Sequence, residues 1–315
     1  MPAESDFVDL LRALAGHPAA RGLLDDAAVL EIGGRTLVLT HDMLVEGVHY
    51  LPDDPPGDVA WKLVAVNLSD LGAKGARPLG ALLGYTLAGD TAWDAAFVEG
   101  LYTALAAFEI PLLGGDTVSA GAAGPRVLAL TAIGEAHGPA PSRSGAAAGD
   151  HLWVTGTIGD AGAGLRALRG ELPPDPALVE SYRTPRTRVE IGPDLAPLVT
   201  AMMDVSDGLL IDSARLARAS GVAIEIELEA IPLSAALVRT LGDSRDSRLG
   251  AATAGDDYEL LFTASPGRGI ELLDIADRSG IPVNRIGVVG RGAGLHLTEG
   301  GRPVPLPPRL GWEHR

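Results

Sequence analysis

The residues best suited to chemistry lie in Ala201–Leu210. There a short apolar run delivers two carboxylates, Asp204 and Asp207, with Ser206 between them. Gly208 then opens a helical spacing of Leu209, Leu210, Ala214, Leu216 and Ala217 that stops at Gly221, with Ser206 or Asp207 as a natural N-cap. Two acids at a strand tip, just before a helix start, suit a divalent cation, and the hydroxyl and backbone N–H groups beside them suit phosphate oxygens. The device recurs along the chain at Asp25-Asp26, Asp42, Asp70, Asp116 and Asp256-Asp257, each acid next to an apolar run and close to Gly, Ser or Thr. One such Asp is most often a turn former or helix cap. Several that converged would repel one another unless Mg²⁺, which prefers oxygen ligands and substrate phosphates, relieved them.

The composition limits what such a site serves. The 315 residues suffice for two domains or one large one. Apolar residues make up 46% and aromatics only 4%, so Leu, Val, Ile and Ala must build the core. A net charge of −16 argues against nucleic acid as the main partner, and an acidic protein that binds phosphates needs bridging cations. With no cysteine there are no disulfides, thiolate metal sites, thiol nucleophiles or iron–sulfur clusters. The acidic N-terminus lacks a signal-peptide core, and no apolar run approaches the roughly 20 residues of a membrane span, so the expectation is a cytoplasmic protein without a membrane partner. Lysine occurs only at 62 and 74, which reads as compositional bias without functional weight.

The elements that must carry these acids follow from periodicity. Residues 6–15 have helical spacing. Residues 27–32 and 36–40 form a hairpin around Gly33-Gly34, and its second strand ends at His41-Asp42. Asp58 caps a helix that places Asn67 and Asp70 on one face. Strands are expected over 79–87, 110–113 and 127–134, and a helix over 92–108. The strand at 110–113 runs out into Gly114-Gly115-Asp116-Thr117, whose paired glycines leave room for a ligand near the backbone. The stretch 138–149, rich in Gly, Pro, Ser and Ala, is the best linker. Beyond it come strands at 152–155, 222–228, 260–263 and 283–289, helices at 177–188 and 270–278, and a polar loop at 242–250. Residues 156–164 loosely resemble a phosphate-binding glycine turn, a weak signal. Both halves mix strands and helices, so the class is α/β or α+β.

The P-loop and the kinase catalytic-loop signature are both missing. Taken alone, His49 is a surface histidine or a phosphate contact. Arg143 is solvated or a phosphate clamp. Trp312 staples the tail or stacks on a flat ligand, with stapling the simpler role, and Glu46 is a solvated charge.

Six stretches occur in order: 25–29 (DDAAV), 40–49 (THDMLVEGVH), 67–71 (NLSDL), 114–117 (GGDT), 204–209 (DVSDGL) and 255–262 (GDDYELLF). Each is weak singly. Together, with their spacing, they resemble the thiamine-monophosphate kinase family, within the superfamily of aminoimidazole ribonucleotide synthetase, from about residue 7 to the C-terminus. The resemblance implies a two-domain aminoimidazole ribonucleotide synthetase-like fold. Residues 1–138 would form an N-terminal domain whose strands build a dimer barrel with a second copy, 139–148 a linker, and 149–315 a C-terminal α/β domain over the ATP cleft. It implies phosphorylation of thiamine monophosphate by ATP to thiamine diphosphate, with a homodimer as the working unit. By the same resemblance Asp26, Thr40, His41, Asp42, Asp70, Asp116, Asp204 and Asp207 hold several Mg²⁺ ions. Gly115, Asp116, Arg143 and Ser206 contact ATP, and His49, Asp256 and Trp312 face the thiamine phosphate.

The chain departs from the family pattern at Leu24, where Gly is usual, at His41, where a small hydroxyl residue is common, and at Asp256, one methylene shorter than the usual Glu. It also ends His314-Arg315 where an aromatic residue is common. The mechanism that fits is direct in-line transfer, since a phosphate nucleophile is already anionic near neutral pH and needs no dedicated base. The rivals are another ATP-using member of the superfamily, a metal-dependent phosphohydrolase, and a non-catalytic nucleotide- or thiamine-binding protein. Two branches of the superfamily rely on a reactive cysteine that this chain lacks.

Overall fold

The computed structural model describes residues 4–119, 121 and 124–313; the terminal His314-Arg315 lies outside them. The strands are β1 (Ala28–Ile32), β2 (Arg35–Val45), β3 (Ala76–Leu87), β4 (Leu112–Ser119), β5 (Val127–Ala136), β6 (His151–Thr155), β7 (Ala201–Val205), β8 (Ala223–Glu227), β9 (Glu259–Ala264), β10 (Val283–Gly290), β11 (Gly294–Glu299) and β12 (Arg302–Val304). The helices are α1 (Glu4–Arg12), α2 (Pro56–Ala73), α3 (Thr91–Ala107), α4 (Asp160–Leu168), α5 (Pro176–Arg183), α6 (Gly192–Leu195), α7 (Leu209–Ser220), α8 (Ala235–Leu241), α9 (Arg245–Ala252) and α10 (Gly269–Ser279).

Two sheets divide the strands. The first has the order β1-β2-β5-β3-β4, with only β3 and β4 parallel. The second has the order β12-β11-β8-β10-β6-β9-β7, with only β11 and β8 parallel. The mixed α/β class read from the sequence is therefore the one observed. The β1–β2 hairpin turns at Gly33-Gly34 as expected, but β2 continues past Asp42 to Val45 because all of it pairs with β5.

Helix α2 organises the molecule. It lies on the first sheet, packs against α3, and touches β7, β9, α5 and α6 of the C-terminal half. Apolar residues surround it on all sides (Val59, Leu63, Val64, Ala65, Val66, Leu68, Ala73), and every residue from Val59 to Ala73 except Trp61 is buried. A helix apolar all round belongs in an interior. The polar residues within that buried stretch, Lys62, Asn67, Ser69 and Asp70, must therefore find partners.

Several local expectations are corrected. Asp58 does not cap α2: Pro55 takes the N-cap with Pro56 as the first helical residue, and Asp58 lies in the first turn. Gly114–Thr117 lie within β4, held in register by β3. The helix from 177 ends at Arg183, just ahead of Pro185. The polar loop at 242–250 is largely α9, capped by Ser244 through Ser247 N–H at 3.2 Å. β11 and β12 go unnoticed in the Pro- and Gly-rich tail. The stretch expected to be a linker is pinned at both ends. Arg21 donates to the carbonyls of Ala140 (2.7 Å) and Pro141 (3.0 Å), and Ser220 Oγ accepts from the N–H groups of Gly145 and Ala146 at 3.2 Å.

Candidate active site

Three elements bring carboxylates to one point. Asp26 precedes β1, Asp70 comes from the last turn of α2, and Asp204 from β7; one oxygen of each lies within 4.8 Å of the others. All three side chains are buried. Strand alternation on β2 turns Thr40 and Asp42 inward and His41 outward. The Thr40 hydroxyl donates to Asp70, and Asn67 Oδ1 accepts from the Asp42 backbone N–H at 3.0 Å. The His41 ring is exposed and meets Thr131 Oγ1 at 2.8 Å, so among its groups only the backbone remains on the side of the acids. Ser69, beside Asp70, donates to Asp204 at 2.6 Å.

The electrostatics of this cluster are unbalanced. Burial, then Asp26, pushes Asp204 up to about 8 against the opposing Ser69 hydroxyl. Burial, with Asp26 and Asp207, raises Asp42 to about 6. Asp70 rises well above the usual carboxylate range through burial and the charges of Asp42, Asp204 and Asp26. Asp26 behaves oppositely: burial raises it, but Arg143 and Lys74 outweigh burial and hold it below that range. Asp25 lies behind it, accepting from Arg21 at 2.6 Å and from Lys74. Five carboxyl groups (Asp25, Asp26, Asp42, Asp70, Asp204) thus share three cations (Arg21, Lys74, Arg143), so ionising all five would leave two negative charges uncompensated. An all-oxygen donor set with that deficit fits a hard divalent cation.

The remaining candidates are placed as follows. Arg143 is folded back from the linker and forms an ion pair with Asp26. Asp207 does not join the trio. Its carboxylate pairs with Arg215, and its backbone N–H, with that of Gly208, donates to Asp212 at 3.1 and 3.2 Å. Gly208 therefore takes the N-cap of α7, and neither Ser206 nor Asp207 caps it through a side chain; Gly221 ends it as expected. The Ser206 carbonyl accepts from Asp256 N–H at 2.7 Å. Asp116 and Gly115 sit on the exposed edge strand β4, and among the described residues no ion pair joins Asp116 to the trio. Gly115 is required there: at φ +156° a Cβ would lie 1.9 Å from the Leu83 carbonyl oxygen.

His49, Asp256 and Trp312 form a second group. The His49 and Trp312 rings meet edge-on with centroids 5.8 Å apart. The Trp312 backbone N–H donates to the Asp207 carbonyl at 2.9 Å, which ties the tail to the acidic loop. Asp256 accepts from the Tyr258 hydroxyl at 2.9 Å and from Lys62 at 2.7 Å. Glu46 is not a solvated charge: it accepts from Arg126 through backbone (3.0 Å) and guanidinium (3.2 Å).

The lysines overturn the reading of compositional bias. The chain's only two lysines are both buried, and each neutralises site acids, Lys62 at Asp256 and Lys74 between Asp25 and Asp26. The signal was present. A lysine within or at the end of a helix apolar all round has no water to reach and must be paired. The glycine turn at 156–164 is also corrected. Gly159 N–H is taken by both oxygens of Asp257 at 2.9 Å, and Glu259 fills the space beside Gly156, so no cradle is open there.

Residues 24–136 match the model for "AIR synthase related protein, N-terminal domain", and residues 147–299 that for the corresponding C-terminal domain. The chain is 42% identical to the thiamine-monophosphate kinase of Caulobacter vibrioides, covering 99% of this chain and 91% of the relative. It is 38% identical to that of Escherichia coli K12, covering 90% and 89%. Among solved structures, "AaThiL complexed with AMPPCP and TMP" aligns with a TM-score of 0.85 at 31% identity, covering 99% of this chain and 97% of the other. Thiamine-monophosphate kinase from Stenotrophomonas maltophilia K279a aligns with a TM-score of 0.79 at 37% identity, covering 95% and 96%. Similarity at this level along almost the whole length, in sequence and in backbone, leads to one conclusion: the chain belongs to the thiamine-monophosphate kinase family.

Proposed function

We propose that the protein phosphorylates thiamine monophosphate with ATP, giving ADP and thiamine diphosphate. The observation that carries the reading is the buried convergence of Asp26, Asp70 and Asp204 beside Asp42, in a chain whose relatives of that name cover nearly its full length. A phosphate oxygen of thiamine monophosphate attacks the γ-phosphorus of ATP in line. The bond to the β,γ-bridging oxygen breaks, and ADP leaves. The attacking oxygen is already anionic near neutral pH, so no side chain serves as a base. Mg²⁺, when bound, supplies the charge neutralisation that lets two anionic molecules approach.

Asp26, Asp42, Asp70, Asp116, Asp204 and Asp207, with the Thr40 hydroxyl and the His41 backbone, hold the cations in this reading. Gly115, Asp116, Arg143 and Ser206 orient ATP. His49, Asp256 and Trp312 orient the acceptor. Arg143 and Lys74, already paired with Asp26, keep that carboxylate ionised. The division at 1–138, 139–148 and 149–315 is part of the proposal. So is a homodimer formed through the first sheet, whose edge strand β4 is exposed throughout and which bares Met43, Leu82, Leu113 and Val118. A cytoplasmic setting follows from the need for ATP; among the described residues no helix is long and apolar enough to cross a membrane.

The test is incubation with ATP, Mg²⁺ and thiamine monophosphate, with thiamine as a competing acceptor. Thiamine diphosphate is expected from the monophosphate alone. Release of inorganic phosphate without an acceptor would favour a phosphohydrolase and refute the proposal.

A further inference from the structure

Lys62 stands apart from the metal cluster, and the proposed chemistry gives it no part. It rises from α2 in the N-terminal half, and its side chain is 2% exposed. Its ammonium has partners on three separate segments. It donates to Asp256 Oδ2 at 2.7 Å in the loop before β9 and to the His49 carbonyl at 3.2 Å in the loop after β2. It also lies 4.1 Å from the centre of the Tyr182 ring on α5. Two of these partners, His49 and Asp256, belong to the group of three assigned to the acceptor. The third member, Trp312, rests edge-on against His49.

A buried ammonium is costly unless it is paired and hydrogen-bonded, and here one atom meets both demands from both halves of the chain. Asp256 sits at φ +70°, a backbone conformation a non-glycine residue seldom holds without support. Its carboxylate is fixed at both oxygens, by Lys62 and by the Tyr258 hydroxyl. Because Asp256 is one methylene shorter than Glu, it has less reach to correct its own placement. The lysine therefore sets where that carboxylate stands.

We propose that Lys62 is a positioning residue for the acceptor: it ties the His49 loop to the Asp256 loop across the two halves and so determines affinity for thiamine monophosphate, with no part in holding ATP. The inference rests on the assignment of His49 and Asp256 to the acceptor.

Steady-state kinetics of the full chain test it. Lys62→Met keeps the length and apolar stem of the side chain and removes the charge. The KM for thiamine monophosphate should rise about tenfold or more, while the KM for ATP stays within about twofold, as expected from losing a charged hydrogen bond at one subsite. Lys62→Arg keeps the charge but moves it, and should raise the same KM by about threefold, less than Lys62→Met. Where Lys62→Met fails to fold, Lys62→Arg carries the test alone. In Lys62→Met/Asp256→Asn the KM should not exceed that of the worse single variant, because the lysine acts through the aspartate. A merely structural lysine would lower the melting temperature and kcat and leave the KM ratio unchanged. That pattern, equal rises in both KM values, or wild-type kinetics in Lys62→Arg would overturn the inference. Absence of thiamine diphosphate with the wild-type protein would instead overturn the assignment of function.

Discussion

Replacing Asp204 by Asn tests the physics of the acidic cluster without reference to turnover. In the metal-free protein Asp204 is raised from 3.8 to about 8 by burial and by neighbouring Asp26. A carboxyl raised on folding binds its proton more tightly in the native state than in the unfolded chain. Its stabilising effect is full below pH 4 and is lost as pH climbs from about 4 to 8. At pH 7 the native group remains protonated while the unfolded one is ionised. The difference of about 3 pH units corresponds to an upper bound of about 4 kcal/mol of stability lost relative to pH 4.

An asparagine side chain at this position never ionises, keeps an oxygen to accept from Ser69, and escapes most of that loss. After allowing for the cost of burying an amide, the net gain at pH 7 is about 2 kcal/mol. For a chain of this size that is a rise in melting temperature of roughly 3 °C. Thermal unfolding followed by circular dichroism in chelator at pH 5 and pH 7.5 reads the effect. The variant should exceed wild type clearly at pH 7.5 and much less at pH 5. Added Mg²⁺ should stabilise wild type more at pH 7.5 than at pH 5, and Asp204→Asn less than wild type at both. A metal-free variant that melts below wild type at pH 7.5 would refute the claim that Asp204 is electrostatically frustrated.

Lys74→Met leaves Asp25 and Asp26 without their shared ammonium; urea unfolding should show a loss of about 3–5 kcal/mol, and an unchanged midpoint would contradict the pairing. Gly115→Ala forces a Cβ onto the Leu83 carbonyl; about 2 kcal/mol or more of stability should be lost, together with a higher KM for ATP, and normal values for both would show that β4 yields without cost. Asp42→Asn and Asp207→Asn should cut turnover about 100-fold at ordinary Mg²⁺ and recover partly when Mg²⁺ is raised; near-normal turnover in both would count heavily against metal-assisted transfer.

Much was readable from local pattern. Alternation and Gly-Gly placed the β1–β2 hairpin, helical spacing placed α3, α7 and α10, and acids beside apolar runs marked the three segments whose carboxylates converge. These are short-range properties, set by side-chain periodicity and by which residues tolerate a turn. Which acids share a space is a long-range property. Asp204 and Asp207 are three residues apart, yet one joins Asp26 and Asp70 while the other turns to Arg215. The choice depends on β7 being sealed beneath α2, a packing that no window of sequence contains. The same burial converts Lys62 and Lys74 from two uncommon residues into the counter-charges of both candidate subsites, and it fills the glycine turn at 156–159 with Asp257 and Glu259. The chain order alone determined most of the strands and helices and the supply of carboxylates. Tertiary packing decided which charges lost their water, and so which had to meet.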